Sequence, residues 1–311
     1  MVADWARRKV EGVIQGSLRT PADEREDIRV TEMAVEAVLG TVDVAGLNEP
    51  ARFARFLYNA FTPLVFTAED VGGSFGQAPP DADNRFRTLV WALRKRVPAF
   101  SAAEAVRLGL VADRLMGDRA AAGSEVWAAD VGLDLVRAAS FSRKGRLLAH
   151  IVRVMRAAHV VEIGTSYGMS CLYLDSTLGE DGVIATVEVS RPQVPMATEL
   201  FKSECRGAVK LVDGMFPDVL PKVLEHVPRI EFAFHDATHS GVAYVAHFEA
   251  LEPHLVSGGT MLFDDIAWQD PVRGEQHGAD NTHDGWRRVA AHPRVARAVE
   301  IDRAYGLLLL K

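Results

Sequence analysis

The sequence predicts an α/β protein in which a doubly wound, mostly parallel sheet ends in an antiparallel hairpin and follows an all-α N-terminal region. From residue 142 onward, short β-branched apolar runs alternate with helical segments, which is typical of βαβ units in a parallel sheet. Residues 1–140 show helical periodicity and few strand signals. Near the end of the chain, two apolar runs are joined only by Asp302-Arg-Ala, a link too short for a helical crossover.

Residues 1–140 are predicted to form a helical cap. Ser101-Ala-Ala-Glu104 is a capping box that begins one of its helices. The region carries no chemical motif, so two interpretations stay open: a cap that supplies a substrate pocket or a dimer surface, or a packing domain without catalytic consequence. We favour the cap, because an apolar substrate needs walls that strand ends alone do not provide. Helices are predicted over residues 5–18, 32–42, 49–65, 84–97, 101–116 and 124–139.

Residues 141–311 are predicted to form a second domain that contains the sheet. An amphipathic helix over residues 142–158 leads into the first strand. The two C-terminal runs are expected to add an antiparallel hairpin to the parallel strands. Strands are predicted at 159–164, 183–189, 208–212, 230–235 and 260–265, and the hairpin at 295–301 and 305–310.

The bulk composition is that of an ordinary globular protein, with 48% hydrophobic and 25% charged residues. A formal net charge of −7 argues against a nucleic-acid partner, since phosphate binding needs a basic excess. Two cysteines cannot build a disulfide framework, which favours a reducing compartment. The N-terminus has no signal-peptide pattern, and no apolar run is long enough to span a membrane. We therefore expect a soluble, cytoplasmic protein without a membrane partner.

A glycine-containing turn follows the first predicted strand. Glu162 ends the apolar run, and Gly164 and Gly168 then lead into a helix, which brings backbone N–H groups close to a ligand. The spacing is G-x-x-x-G, and the dinucleotide pattern G-x-G-x-x-G is absent. Glu188 ends the next strand about 20 residues further on, where a doubly wound sheet places a carboxylate for a ribose diol. This combination predicts a cofactor of the adenosine type.

Acidic residues follow all five predicted parallel strands. One such acid is usually the N-cap of the next helix. Because ligands of a doubly wound sheet bind outside the carboxyl ends of its strands, the whole set indicates a site for hydroxyl groups, a cation, or both. The acids are Glu162, Glu188, Asp213, Asp236 and the pair Asp264-Asp265.

These motifs resemble class I S-adenosylmethionine-dependent methyltransferases, and among them the small-molecule O-methyltransferases of the catechol and caffeoyl-CoA type. The segment 161–168 resembles the first motif of that family, and Val187-Glu-Val its ribose-binding strand end. Residues 251–265 are similar to a helix, the Pro-Gly-Gly-like turn and the fifth strand of that family. The resemblance covers about residues 142–311 and implies a Rossmann-like methyltransferase sheet that binds S-adenosylmethionine.

The resemblance implies a set of cofactor contacts in this chain. The glycine turn would line the methionine half, and Met215 or Phe216 would pack on the adenine face. The implied residues are Glu162, Gly164, Thr165, Ser166, Gly168 and Ser170 at the methionine half, Glu188 at the ribose, Asp213, Gly214, Met215 and Phe216 near the adenine, and Asp236.

The metal-dependent members of the family also imply a cation site. Asp236, Asp264 and Asp265 occupy the positions of its three ligands, and three carboxylates form an all-oxygen site that favours Mg²⁺. The family's catalytic lysine is replaced here by His239, and imidazole, with a pKa of about 6.5, can accept a proton near neutrality. Asp236 and His239 are therefore the predicted catalytic residues. Alternatively, His239 caps or packs the following helix, and His235 is expected to be a core residue.

The resulting hypothesis is methyl transfer to a hydroxyl group of a small molecule, a phenol or a natural-product intermediate, by a homodimer. Metal-independent N- or C-methyl transfer on the same fold is the main alternative. The missing third glycine and the terminal hairpin argue against a nicotinamide-dependent oxidoreductase, and the intact cofactor motif argues against a non-enzymatic binding protein. The polar loop 268–285, with His277, Asp280 and His283, is read either as a substrate flap or as a solvated loop.

Overall fold

The computed structural model describes residues 22–47, 50–62, 64–71, 77–121, 143–191, 193–267 and 281–311. The predicted helices at 5–18 and 124–139, and residues 268–280 of the predicted flap, lie outside the described residues. The chain divides into two units, one made of residues 1–64 and 97–147 and the other of residues 65–96 and 148–311. The segment 65–96, which the sequence analysis assigned to the helical cap, thus belongs to the unit that contains the sheet.

The described residues form ten helices and eight strands, each numbered in chain order, together with 3-10 turns at Val44–Gly46 and Glu252–His254. The helices are α1 (Ala22–Leu39), α2 (Pro50–Phe61), α3 (Pro80–Leu93), α4 (Ala102–Ala121), α5 (143–155), α6 (Met169–Asp175), α7 (Gln193–Glu204), α8 (Leu220–His226), α9 (Gly241–Leu251) and α10 (Thr282–Ala290). The strands are β1 (Ala68–Asp70), β2 (His159–Ile163), β3 (Val183–Glu188), β4 (Ala208–Asp213), β5 (Ile230–His235), β6 (Leu255–Phe263), β7 (Val295–Ile301) and β8 (Tyr305–Leu310).

The helical unit packs around buried aromatic side chains of α2. Phe53 and Phe56 are both buried, and Gly109 of α4 faces their rings. A Cβ atom at Gly109 would lie 2.8 Å from the Phe53 ring, so the absence of a side chain permits this close approach. Arg146 is buried in the same unit and donates hydrogen bonds to four backbone carbonyl oxygens, which compensates for burying its charge.

The second unit contains one eight-stranded sheet in the order β1-β7-β8-β6-β5-β2-β3-β4. Strands β6, β5, β2, β3 and β4 pair in parallel, and β8 and β7 continue the sheet as an antiparallel hairpin. The predicted fold class, including the terminal hairpin at residues 295–301 and 305–310, is confirmed. β6 begins at Leu255, five residues before its predicted start at 260.

One strand departs from the expected all-α N-terminal region. β1 pairs antiparallel with β7, with Ala68 opposite Ile301. The main chain and hydroxyl of Thr67 also donate to the Asp302 carboxylate at 2.8 and 3.0 Å. A strand of three residues is too short to show a period of two in the sequence, and it forms by pairing with the C-terminal hairpin.

The sheet aligns the ends of its parallel strands. β2 lies between β3 and β5, so the order of the strands reverses at this point, which is where doubly wound sheets bind ligands. Gly164 N donates to Val187 O at 3.0 Å, Asp236 N to Ile163 O at 2.9 Å, and Asp264 N to His235 O at 2.9 Å. These backbone bonds bring the predicted acidic residues to one edge.

A helix that crosses a membrane must be long and apolar. Within the ranges that the structure describes, none of the helices has both the length and the apolar character for it.

Candidate cofactor and catalytic site

The glycine turn after β2 has a backbone that ordinary side chains disfavour. Gly164 and Gly168 have φ values of 100° and 87°, and Ser166 also lies in the left-handed region at 49°. A Cβ atom at Gly164 would collide with the Asp236 carbonyl, and one at Gly168 would lie 2.6 Å from the Phe201 ring. Glycine is therefore required at both positions, and the turn can approach a ligand closely.

Glu188 at the end of β3 is held by backbone amides. One carboxylate oxygen accepts from Ser166 N at 2.6 Å, and the other accepts from Val189 N and Ser190 N at 2.9 and 2.7 Å. The carbonyl of Glu188 also accepts from Gly214 N at 2.9 Å. The carboxylate is thereby fixed before any ligand arrives, and its remaining lone pairs can accept bonds from a diol.

Glu162 lies behind the turn in a closed polar cluster. Its side chain is fully buried and accepts from Cys171 Sγ at 2.8 Å and from Thr186 Oγ1 at 2.5 Å. Burial raises the pKa of Glu162 to about 7, although these hydrogen bonds act in the opposite direction. Burial and the nearby Glu162 charge also raise the pKa of the Cys171 thiol well above its usual value.

A cavity of ≈ 330 Å³ opens at these strand ends. Residues from the ends of β2, β3 and β5, from the loop after β4 and from α9 surround it. Seven sequence-predicted site residues line it: Gly164, Ser166, Glu188, Gly214, Met215, Phe216 and Asp236. This volume lies at the lower end of the range for small-molecule sites.

Five predicted cofactor residues do not line the cavity. Glu162 and Thr165 are buried behind the turn, where the Thr165 hydroxyl lies 2.5 Å from that of Thr186. Gly168 is the N-cap of α6 and Ser170 is buried in its first turn, while Asp213 is exposed at the end of β4. These residues support the walls or lie beside them.

The cavity also has lining residues that the sequence analysis missed. The strand ends contribute Ile163, Val187 and Val189, which their position in the apolar runs could have revealed. His247 could not be found in this way, because it lies in an apolar helix far along the chain. The remaining missed residues are Gln193, Ala237 and Thr238.

His247 belongs to a buried histidine pair. Its Nδ1 lies 2.9 Å from Nε2 of His235, which is fully buried, as expected for a core residue. The His247 ring meets the Phe216 ring edge-on, with centroids 5.0 Å apart. Burial lowers the pKa of His235 to about 3, and burial also lowers the pKa of His247, against a hydrogen bond to the Phe216 backbone. Both imidazoles are therefore neutral near pH 7.

The other predicted catalytic groups follow β5 and β6. His239 Nε2 lies 3.7 Å from Asp265 Oδ2, and both side chains are partly exposed. Asp265 has a φ of 53°, in the left-handed region. Asp264 is buried: its carboxylate accepts from Asp265 N at 2.9 Å, and its carbonyl accepts from the Tyr244 hydroxyl at 2.5 Å.

The arrangement of the carboxylates does not match the implied cation site. Among the described residues, which include Asp236, Asp264 and Asp265, no group of three or more acidic, histidine or cysteine side chains is placed to hold a metal ion. The buried Asp264 carboxylate is turned toward the main chain of its neighbour. The magnesium site stays a prediction that this geometry does not support.

Comparison with known proteins identifies this region. Residues 161–266 match the family described as "Methyltransferase domain". The chain is 26% identical over 135 residues to a caffeoyl-CoA O-methyltransferase of Populus kitakamiensis, covering 42% of this chain and 57% of that one. It is 25% identical over 183 residues to tricin synthase 2 of Oryza sativa subsp. japonica, covering 54% and 61%. The chain spans about three fifths of the length of these curated relatives.

A solved structure supports the fold alone. The SAH-bound methyltransferase PaMTH1 of Podospora anserina aligns with a TM-score of 0.50 and 15% identity, over 77% of this chain and 100% of that one. The residues that match the methyltransferase family include the glycine turn, Glu188 and the segment from Asp236 to Asp265. Residues 161–266 are therefore a methyltransferase domain, and the chain is similar to caffeoyl-CoA O-methyltransferases over 42% of its length.

Proposed function

We propose that the protein transfers a methyl group from S-adenosylmethionine to a hydroxyl group of a small molecule, a phenol or a natural-product intermediate. The observation that carries the proposal is the cavity at the switch point of the sheet. There, Glu188, already held by three backbone amides, faces the same space as Gly164 and Phe216. A fixed acceptor for a diol beside an apolar wall fits the adenosine half of this cofactor.

The lining residues give the cofactor one orientation. With the ribose at Glu188, the base lies toward the apolar side chains of Val189, Met215 and Phe216. The amino-acid half then lies toward the turn at Gly164 and Ser166, where close approach is possible. This orientation directs the reacting end of the ligand toward Asp236 and the segment that follows it.

When bound, S-adenosylmethionine supplies an electrophilic methyl group. The chain must align the acceptor oxygen with it and remove the hydroxyl proton. His239 lies one residue beyond Thr238, the last lining residue of that segment, and is the proposed base. The Asp265 carboxylate, 3.7 Å from His239 Nε2, would stabilise the imidazolium that forms. No step in this proposal passes through a cation.

The test combines binding and turnover on the full chain. Isothermal titration with S-adenosylhomocysteine should give a dissociation constant in the micromolar range, and methyl transfer from labelled S-adenosylmethionine to a panel of catechols and hydroxycinnamates should persist in EDTA. Failure of the folded protein to bind the cofactor product would exclude the proposal. Loss of turnover in EDTA with restoration by Mg²⁺ would instead assign the carboxylates to a cation.

Metal-independent N- or C-methyl transfer is the second candidate. It uses the same cofactor cavity, whose lining residues would contact S-adenosylmethionine whichever atom accepts the methyl group. Mass spectrometry of the methylated product from acceptors that offer both a hydroxyl and an amine separates the two reactions. The homodimer and the cytoplasmic location stay predictions.

A further inference from the structure

The buried histidine pair lies outside the chemistry proposed above, yet one member reaches the cavity. His247 lines the cavity, whereas His235 is fully buried and does not. A polar pair in an apolar core lowers stability unless its hydrogen bonds are satisfied, so its presence calls for a physical reason. The His247 ring contacts the ring of Phe216, which also lines the cavity.

The cavity around Phe216 is the part suited to a flat base. Val189 and Met215 line it with apolar side chains that are 53% and 55% exposed. Gly214 N binds the carbonyl of Glu188, which fixes this wall relative to the diol-binding carboxylate. A base stacked between these side chains would remove their apolar surface from water, and the Phe216 ring would add an aromatic contact.

The protonation of the two imidazoles determines which of them donates the hydrogen bond that joins them. Because both imidazoles are neutral near pH 7, one proton is shared between His235 Nε2 and His247 Nδ1. A proton on His235 Nε2 makes that ring the donor, and His247 can then use its other N–H toward the Phe216 backbone. In the described part of the chain, Nδ1 of His235 has no hydrogen-bond partner, so His235 is oriented through its bond to His247.

We propose that His247 is a positioning residue for the adenine wall: held by His235, it fixes Phe216 in the place where the base of the cofactor packs. The inference rests on the proposed function, since it assigns the Phe216 side of the cavity to the adenine. It predicts that both histidines affect binding of the adenosine part of the ligand, although only one of them lines the cavity.

The test is a comparison of His247→Phe, His235→Phe and the double variant, with isothermal titration of S-adenosylhomocysteine and of adenosine. His247→Phe keeps a ring beside Phe216 but removes both nitrogen atoms. Each single variant should raise the dissociation constants of both ligands by about the same factor, roughly tenfold. The double variant should bind them no more weakly than either single variant, because the two histidines act as a unit. The KM for the acceptor should not change.

His292→Phe is the matched control. His292 meets Phe248 edge-on with centroids 5.1 Å apart, nearly the same contact as His247 with Phe216, but it does not line the cavity. Its binding constants should equal those of the parent. Equal effects of His292→Phe and His247→Phe would reduce the role of His247 to general stability and overturn the inference.

Two further measurements keep the test decisive. If the Phe variants do not fold, His247→Gln, which keeps an amide for hydrogen bonding, should restore binding to within about threefold of the parent. In the unmodified protein, the imidazole N–H resonance of the pair should shift when S-adenosylhomocysteine binds, and an unchanged resonance contradicts the inference. A parent protein that binds no S-adenosylhomocysteine rejects the proposed function itself, whereas parent-like binding by His247→Phe rejects only this inference.

Discussion

Two regions at the strand ends are built differently: the cofactor side, at the ends of β2, β3 and β4, and the reaction side, at the ends of β5 and β6. At β2, β3 and β4, backbone amides hold the Glu188 carboxylate, and glycines shape the turn. At β5 and β6, the contact between His239 and Asp265 spans 3.7 Å and joins two partly exposed side chains. The first region is organised by the main chain before a ligand arrives, while the second depends on side chains.

The difference bears on what each region can bind. A site made by backbone groups keeps its geometry through many side-chain changes, which suits a ligand that is the same in every reaction. A site made by side chains can change with the acceptor, because rotamers and residue types vary without altering the sheet. Variants on the reaction side should therefore affect turnover, and variants on the cofactor side should affect binding or folding.

The largest expected effect is on turnover. His239→Asn removes the proposed base and should lower kcat roughly 10²–10⁴-fold, with the dissociation constant of S-adenosylhomocysteine changed less than about twofold. Asp265→Asn should have a smaller effect on kcat, because it removes only the charge that stabilises the imidazolium. Steady-state kinetics and titration measure both, and His254→Asn is the control. Unchanged kcat in His239→Asn would assign this residue to helix packing.

The next effect is on folding of the turn. Gly164→Ala forces a side chain into φ = 100° and against the Asp236 carbonyl, which should cost about 3 kcal/mol or more. Gly179→Ala is the matched control, since no atom lies within 4 Å of its added Cβ. The midpoint of thermal unfolding should fall clearly for Gly164→Ala and should not change for Gly179→Ala. Equal midpoints would mean that the turn can relax.

A smaller effect is expected on cofactor affinity. Glu188→Gln places an amide donor among three backbone N–H groups and removes the charge facing the ribose. Charge-assisted hydrogen bonds contribute about 1.5–3 kcal/mol, so affinity for S-adenosylhomocysteine should fall about 10- to 100-fold. The exposed Glu180→Gln serves as control in the same titration. Loss of kcat without loss of affinity would place the ribose elsewhere.

The smallest effect is a pH dependence of stability. The pKa of Glu162 is raised from 4.5 to about 7 by burial, so the folded state binds more protons than the unfolded state between these values. Stability therefore falls as pH rises through this window, by at most about 3 kcal/mol. Glu162→Gln, which keeps an acceptor for Thr186, should show a smaller decrease in melting temperature between pH 5 and 8, by a few degrees.

His235 contributes with the opposite sign. Its pKa is lowered to about 3, so its contribution is present above pH 6.5 and is lost as pH falls toward 3. Because this contribution is common to the parent and to Glu162→Gln, the difference between their melting temperatures at each pH isolates Glu162. Parallel curves for the two proteins would contradict the raised pKa, and Glu180→Gln should follow the parent.

Much of the fold was determined by local patterns in the sequence. The first four parallel strands and the two strands of the terminal hairpin were predicted to within one residue, because each is a mostly apolar run ended by a polar residue, a glycine or a turn. The glycine turn was found because a strand followed by glycines that adopt a left-handed φ leaves a signature within a few residues, and Glu188 because it is the acid that ends the next apolar run.

Other features were decided only by tertiary structure. β1 exists because β7 lies beside it, and its three residues carry no periodicity of their own. The sequence also did not reveal which residues of the turn face the cavity. Gly164 and Ser166 line it, whereas Glu162 and Thr165 are buried behind the turn. That choice depends on backbone bonds from the turn to β3, which no local spacing specifies.

His247 is the clearest example of a site residue that local sequence patterns do not reveal. In the sequence it is one of the few polar residues in an apolar helix, and such a residue is usually a satisfied core group. Its place in the cavity arises because α9 packs between β5, which supplies His235, and the loop that carries Phe216. The sequence by itself determined the strands and the turn through local chemistry, and it predicted the class of cofactor. The tertiary structure decided which side chains meet, because contacts between residues far apart in the chain depend on the packing of whole elements.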